Sequence, residues 1–301
     1  MGCGIWFSAV ARTEGRSGLI RGLFRFIVAT LRLFVRALDF VVRGVFYALL
    51  IFGVGVLVAF FVRPQGEIAT GSALVLRPTG SLVEQAVFDR PLDLLAAGGA
   101  PAGQTALADL LEAVRTAKDD ARIGALVIET DELMSAGVSK LAELRAAIFD
   151  FKASGKPVLA RGERFTQGQY YLATVADELH LSPDGFVLMH GLARYSTYFK
   201  GALDALGVKV HVFRVGEYKS FSEPFTRNDM SDEDRESSRD LLDGLWTMLR
   251  DDIATARKLT VEAVDAHVNN YPQALAAAGG DAALAARNAG LVDRFSTRDE
   301  W

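Results

Sequence analysis

Ile123-Gly-Ala-Leu-Val-Ile128 is an unbroken, uncharged and largely apolar run, the kind of segment that a parallel sheet buries on both faces. Before it, residues 105 to 118 repeat apolar side chains at Leu107, Leu110, Leu111 and Val114. That spacing is one face of a helix, with Thr105 placed as its cap. After it, a second helical pattern covers Ala136 to Lys152 and stops at Gly155, and Val158 to Ala160 follows Lys156-Pro157 as another strand. Helix, strand, helix and strand in this order predict an α/β fold: a right-handed, mostly parallel sheet with helices outside.

The alternation extends outward from this centre. Ala73 to Leu76 reads as a strand turned by Pro78 and Gly80, and Pro91 to Gln104, with Gly98-Gly99 and Pro101, as a surface loop. Downstream, Gln169 to Val175 is helical, Glu178 to Leu181 a short strand, Thr197 to Leu206 a helix ended by Gly207, and Lys209 to Phe213 the next strand. From Ser231 the chain turns helical. Ser231 caps a long helix whose first turn carries Asp232, Glu233 and Asp234, where acids suit the helix dipole. Thr260 caps a further turn, and Asp281 to Asn288 is a last helix closed by Gly290.

Charge divides the chain. Residues 1–63 hold eight arginines and two acids, a net of +6, while the rest holds 25 basic and 35 acidic residues, a net of −10. A basic arm on an acidic body argues against a nucleic-acid enzyme and for an arm lying on anionic lipid. Arg21, Arg25, Arg32, Arg36 and Arg43 share one helical face, opposite Leu23, Phe24, Ile27, Leu31 and Phe34. Gly44 to Val62 then runs 19 residues without a charge, about 28 Å as a helix and enough to cross a bilayer. The expected organisation is a cytoplasmic basic arm at 1–43, a single-pass anchor at 44–62, a linker at 63–72 and a periplasmic body at 73–301. The arginine excess before the span sets this orientation. Phe61-Val-Arg-Pro64 offers no small-x-small cleavage site, so the span reads as an uncleaved anchor. Position 6 is Trp, which excludes a myristoylation signal, and Cys3 has no partner for an intrachain disulfide.

The chemistry-bearing stretch is His211 to Ser231. It breaks at Gly216, sets Lys219 among Phe213, Tyr218, Phe221 and Phe225, and reaches Pro224, which is expected to end regular structure. Lys219 has two readings on residue chemistry alone. One is a solvated side chain whose stem covers apolar surface. The other is a general base, with burial lowering the cost of losing the proton. Gly216-Glu-Tyr-Lys219-Ser and Glu223-Pro-Phe-Thr-Arg-Asn-Asp-Met-Ser231 resemble the lysine segment of the signal peptide peptidase A family, membrane-anchored bacterial serine peptidases with a Ser-Lys dyad. The similarity is to the N-terminal repeat of the long, two-repeat form. Phe165-Thr-Gln-Gly-Gln-Tyr-Tyr-Leu-Ala173, Leu181-Ser-Pro183 and Gly290-Leu-Val-Asp293 extend it over roughly residues 70 to 295. The resemblance implies the stacked ββα fold shared by ClpP and crotonases, and Lys219 as general base.

It also implies that the nucleophile is missing. In the catalytic repeat the serine stands in an Ala-Ser-Gly-Gly-Tyr type segment; the matching segment here is Thr166-Gln167-Gly168-Gln169-Tyr170, with Gln167 at the nucleophile position. Thr166 sits one residue off. Ser220 and Ser222 neighbour Lys219, but serine favours turns on its own account. His180, His190, His211 and His267 show no paired metal-ligand spacing, and neither Gly98-Gly99 nor Gly279-Gly280 is a phosphate loop, so no metal and no cofactor are expected. The expected function is a signal peptide peptidase half that lends Lys219 to a serine on a second repeat or partner chain. Expected partners are signal peptides as substrates, the serine-bearing second repeat or chain, membrane lipid and further copies of the chain, with no nucleic acid. The chain is either a fragment or truncation of a long form, or works with a separate serine-bearing chain. The alternative is a non-catalytic assembly subunit. A crotonase-type thioester enzyme would rest on fold alone, and fold does not carry function.

Overall fold

The computed structural model describes residues 13–61, 68–87 and 103–301; the polar linker after the span and most of the loop at 91–104 lie outside them. The chain divides into two units, residues 1–67 and residues 68–301.

In the first unit, Thr13–Phe61 is one helix of 49 residues, about 74 Å long. Within it Arg25–Val58 is long and apolar enough to cross a membrane. Arm and span are therefore one continuous rod, with no break near residue 44. Of the arginine stripe, Arg25, Arg32, Arg36 and Arg43 are exposed. Arg43 pairs with Asp39 one turn back at 2.9 Å.

The second unit is built from a repeated strand, strand, helix unit. β1 (Ser72–Leu76), β4 (Ile123–Glu129), β6 (Val158–Gly162), β8 (Glu178–Leu181) and β10 (Arg294–Phe295) form one sheet in the order β1-β4-β6-β8-β10, parallel at every pair. Each of the first four is followed by a short strand that leaves this sheet. β2 (Gly80–Val83), β3 (Gln104–Ala106) and β5 (Leu133–Ala136) make a second parallel sheet, ordered β3-β2-β5, and β7 (Phe165–Thr166) pairs with β9 (Val187–Leu188). β4-β5 leads into the helix Val138–Lys152, and β6-β7 into the helix Gln167–Ala173. This is the expected stacked ββα architecture. Gly80 shows how tightly the second sheet closes: its φ is +64°, and a Cβ there would lie 2.0 Å from the Gly103 carbonyl oxygen, so only glycine fits.

The core follows from the sequence periods. β4, second in the five-stranded sheet, buries Ile123, Leu126 and Ile128. Leu107–Asp119 buries Leu107, Leu111, Val114 and Ala117, and Val138–Lys152 buries Leu141, Leu144, Ile148 and Phe151, each set at the spacing of one helical face. Thr105 does not cap the first of these helices. It lies in β3, and its hydroxyl bonds the Thr79 carbonyl at 2.9 Å.

The helical C-terminal part is fastened to the short helix Gln167–Ala173, which is buried along most of its length. The Tyr170 hydroxyl donates to the Leu291 carbonyl at 2.8 Å, and the Tyr171 hydroxyl to Asp252 on the long helix Asp232–Arg257 at 2.5 Å. Arg145, buried, donates to Thr174 Oγ1 at 2.6 Å and lies over the Tyr171 ring at 4.1 Å. Burial makes its charged form less favourable than usual, and these partners keep it paired. Arg257 grips Asp293 through two bonds of 3.0 and 2.7 Å, while Asp293 accepts from the Leu179 amide at 2.8 Å. Ser231 and Thr260 cap as read, and Asp281, read only as the start of the last helix, caps it; each accepts from a first-turn amide.

Three expectations fail downstream of residue 195. The helix at 197–206 is only Lys200–Ala205. Lys209 to Phe213 pairs with no strand among the described residues. Its composition suits a strand, but a strand needs a ladder partner. Pro224 does not end regular structure; it is the second residue of the helical turn Glu223–Thr226, where a first-turn position has no intrahelical use for an N–H.

Candidate functional site

Gln167 is the first residue of the helix that β7 feeds, and only 8% exposed. Its side chain is fully engaged. Oε1 accepts from the His190 amide at 3.1 Å and the Gly191 amide at 2.9 Å, and Nε2 donates to the Gly191 carbonyl at 3.1 Å. Two residues on, Gln169 Oε1 accepts from the Thr166 amide at 2.8 Å and Nε2 donates to the Leu133 carbonyl at 2.9 Å. The position where the resemblance calls for a nucleophile thus holds an amide that straps the helix start to the 190–191 turn. Thr166 and His190 are exposed beside it. A groove of about 310 Å³ opens here, lined chiefly by Leu133 to Ala136 of β5, Thr166, Gln167 and Leu192. A primary amide with all its polar atoms bonded neither attacks a carbonyl nor moves a proton.

Lys219 stands elsewhere. It is exposed, ends the irregular segment 206–219, and precedes the single turn Ser220–Ser222. Its stem runs past Gly216, whose φ of +106° allows the close turn, with Lys219 carbons 3.8 Å from where a Cβ would sit. The aromatic box expected around the ammonium is absent within the described residues: Phe213 and Phe221 are 98% and 91% exposed. Lys219 does not line the groove beside Gln167. Ser220 and Ser222 lie in a turn, not on a strand.

The loop carrying Lys219 is held from behind by residues that sequence reading missed. Arg214 Nη1 donates to the Lys219 carbonyl at 2.8 Å and lies 3.8 Å from Glu223 Oε1. Glu223, 2% exposed, accepts from the Ser231 amide at 3.0 Å, which turns its carboxylate toward the start of the long helix. Arg194 Nη1 reaches Asp234 at 2.9 Å. Burial acts to raise the Asp234 pKa, but the Ser220 hydroxyl and the Arg194 guanidinium hold it below its ordinary value. Arg194, Glu223 and Asp234 also line a cleft of about 430 Å³ together with Tyr198, Phe199 and Phe221. The sequence signal for them was local: Glu223 falls inside the quoted motif, and Asp234 lies in the first turn after the Ser231 cap.

Among the described residues no group of His, Cys, Asp and Glu could hold a metal ion. The two positions are thus unlike: Lys219 is exposed on a braced loop, and Gln167 is bonded into the start of its helix.

Comparison with known proteins agrees with the motifs. The family description "Peptidase family S49" matches residues 150–301, which include both Gln167 and Lys219. Protease 4 of Salmonella typhi is 34% identical over 92% of this chain and 46% of that protein. The chloroplastic serine protease SPPA of Arabidopsis thaliana is 27% identical over 69% of this chain and 29% of its own length. The chain thus spans less than half the length of these curated relatives. A solved enoyl-CoA hydratase/isomerase family protein from Silicibacter pomeroyi aligns with 67% of this chain and 94% of its own at 18% identity, with a TM-score of 0.28, too low to carry an argument.

Proposed function

The chain belongs to peptidase family S49, and on that premise we propose that it is the lysine-bearing half of a membrane-anchored serine endopeptidase that degrades cleaved signal peptides. Lys219 is the general base. The serine comes from a second repeat or a partner chain. The observation that carries this reading is the state of Gln167, whose amide is bonded through every polar atom at the nucleophile position, while Lys219 is kept exposed on a braced loop. The names of the matched relatives, Protease 4 and serine protease SPPA, support peptidase chemistry.

A lysine base must lose its proton, and desolvation is what makes the ammonium unfavourable. The exposed Phe213, Val215 and Phe221 around the loop form a surface that a docking partner would cover, burying the ammonium in the same step. The apolar rod at 25–58 anchors the chain in the bacterial inner membrane, with the arginine-rich end in the cytoplasm and the body in the periplasm. The basic arm rests on anionic lipid, and further copies of the chain assemble around the site. A second reading, a non-catalytic assembly subunit, is favoured by the same exposed apolar arm, since docking needs no chemistry.

The test combines the chain with its serine-bearing half. A fluorophosphonate probe labels only that half, and Lys219→Ala removes turnover while assembly persists. Lys219→Arg is equally inactive, because a guanidinium stays charged and does not accept the serine proton. Substantial turnover by Lys219→Arg overturns the base assignment. Full turnover by both variants within an intact assembly leaves the assembly-subunit reading in its place.

A further inference from the structure

A separate cleft, of about 310 Å³, opens at the carboxyl ends of β1, β4 and β6, three strands that lie side by side and run parallel. Arg77 follows β1, Glu129 ends β4 with Asp131 and Glu132 in the turn after it, and Arg161 and Glu163 stand at the end of β6. Arg298 and Trp301 complete the lining, so every side chain around the cleft except Trp301 carries charge. The outside of the carboxyl ends of parallel strands is where open α/β sheets take ligands.

Part of this charge is paired within the cleft. Arg77 Nε donates to Glu129 at 2.6 Å, and Arg161 Nη2 to Glu163 at 2.7 Å. Arg161 is left short. It is 4% exposed, yet Glu163 is its only hydrogen-bond partner among the described residues, and its Nε, shut off from solvent, has none. A guanidinium has five N–H donors, and burying it with one bond leaves a cation that calls for a further anion. On the acidic side, Asp131 accepts from the Glu163 amide at 2.8 Å. Burial pushes its carboxyl above the ordinary value, against the amides that lower it. Glu132 beside it is exposed. Three guanidiniums and four carboxylates thus face one space. A bare anion drawn to Arg161 meets Asp131 and Glu132 as well, and a bare cation drawn to these acids meets Arg161 and Arg298. A ligand with both charges satisfies both sides.

We propose that this cleft binds a small zwitterion of amino-acid or dipeptide size, its carboxylate on Arg161 and Arg298 and its ammonium on Asp131 and Glu132. A planar carboxylate suits the guanidinium fork, and the volume lies at the lower end of the range for small-molecule sites. The Trp301 ring, set edge-on against His180 at 4.8 Å, is the one aromatic wall. Neither Lys219 nor Gln167 lines the cleft, so this site stands or falls separately from the peptidase role.

The experiment titrates the full chain in detergent micelles with alanyl-alanine by calorimetry, with empty micelles as the blank. Saturable binding is expected with a Kd below about 1 mM. N-acetyl-alanyl-alanine, which lacks the ammonium, and alanyl-alanine amide, which lacks the carboxylate, should each bind about tenfold more weakly, since each loses one set of charge-assisted bonds. Arg161→Gln should weaken alanyl-alanine about tenfold, and Arg298→Gln, at an exposed position, by several-fold. Circular dichroism and the urea midpoint report whether each variant is folded; if Arg161→Gln is not, Arg298→Gln decides. Heat no greater than the blank, equal binding of all three dipeptides, or unchanged affinity in a folded Arg161→Gln or Arg298→Gln chain would each overturn the proposal. Full affinity for the acetylated form with loss of the amide would also overturn it, because the cleft would then be a plain anion site.

Discussion

Replacing Gln167 by alanine tests whether the strap is real in solution. The substitution deletes three hydrogen bonds, from the His190 and Gly191 amides to Oε1 and from Nε2 to the Gly191 carbonyl. At a net value of about 0.5–1.5 kcal/mol each, they sum to roughly 1.5–4.5 kcal/mol. Gln167 borders an open groove, so water can reach the freed backbone groups and the cost falls toward the lower half, about 2 kcal/mol. Urea unfolding of the body, followed by fluorescence of Trp246 and Trp301, reads this directly. With a urea slope of about 2–3 kcal/mol per molar, the midpoint should drop by roughly 0.7–1 M. Gln167→Ser should cost about as much, and although it installs a hydroxyl it should take no fluorophosphonate label in the isolated chain, because Lys219 does not line that groove. A midpoint shift under about 0.2 M would mean that the three bonds contribute nothing. Stoichiometric labelling of the serine variant would make this chain a self-sufficient dyad and refute the divided site.

Leu144→Ala, at a fully buried position of the helix Val138–Lys152, should cost about 2–5 kcal/mol in the same assay, the usual range for a core cavity. Arg214→Ala should leave global stability within about 1 kcal/mol, since the pair with Glu223 is long and partly exposed, yet speed hydrogen exchange across 216–222, and added guanidinium should slow it again. His267 is buried and its pKa is pushed below the ordinary histidine value by that burial, so below the unfolded value near 6.5 the unfolded chain takes a proton that the fold refuses. Stability should therefore fall with pH from about 6.5 downward, by at most about 1.4 kcal/mol per unit, and His267→Leu should flatten that slope. Protease added to spheroplasts should digest the body and spare the arm; protection of residues 73–301 would reverse the proposed topology.

Legibility tracked the range of the interactions. Ile123–Glu129 could be read as a buried parallel strand because its apolar run is itself the consequence of two covered faces. The caps at Ser231 and Thr260 were legible because donor and acceptor lie three residues apart. Thr105 was misread for the opposite reason. Its partner is Thr79, 26 residues away, and a helix-capping residue type looks the same when it bonds a neighbouring strand. The engagement of Gln167 with residues 190–191 was likewise out of reach: the sequence offered a glutamine in place of a serine, and only the fold shows that the glutamine fastens something.

The segment 208–221 was legible in composition and illegible in structure, and the two facts have one cause. Val208, Val210 and Val212 alternate as in a strand, and Phe213, Val215 and Phe221 would suit an interior, yet among the described residues nothing pairs with them. Composition is a property of the segment; pairing and burial are properties of what it meets. A monomeric chain gains nothing from exposing apolar side chains along an unpaired edge; on the proposed reading these residues serve a second, docking surface. On the proposed reading, Lys219 has the same requirement, because it needs a serine and the removal of water, and this chain supplies neither at its position. A single docking surface that pairs with 208–213, covers Phe213 and Phe221 and carries the serine satisfies all of these at once. It would also keep the site idle until it is complete, since the lysine meets the hydroxyl it acts on only when that surface docks.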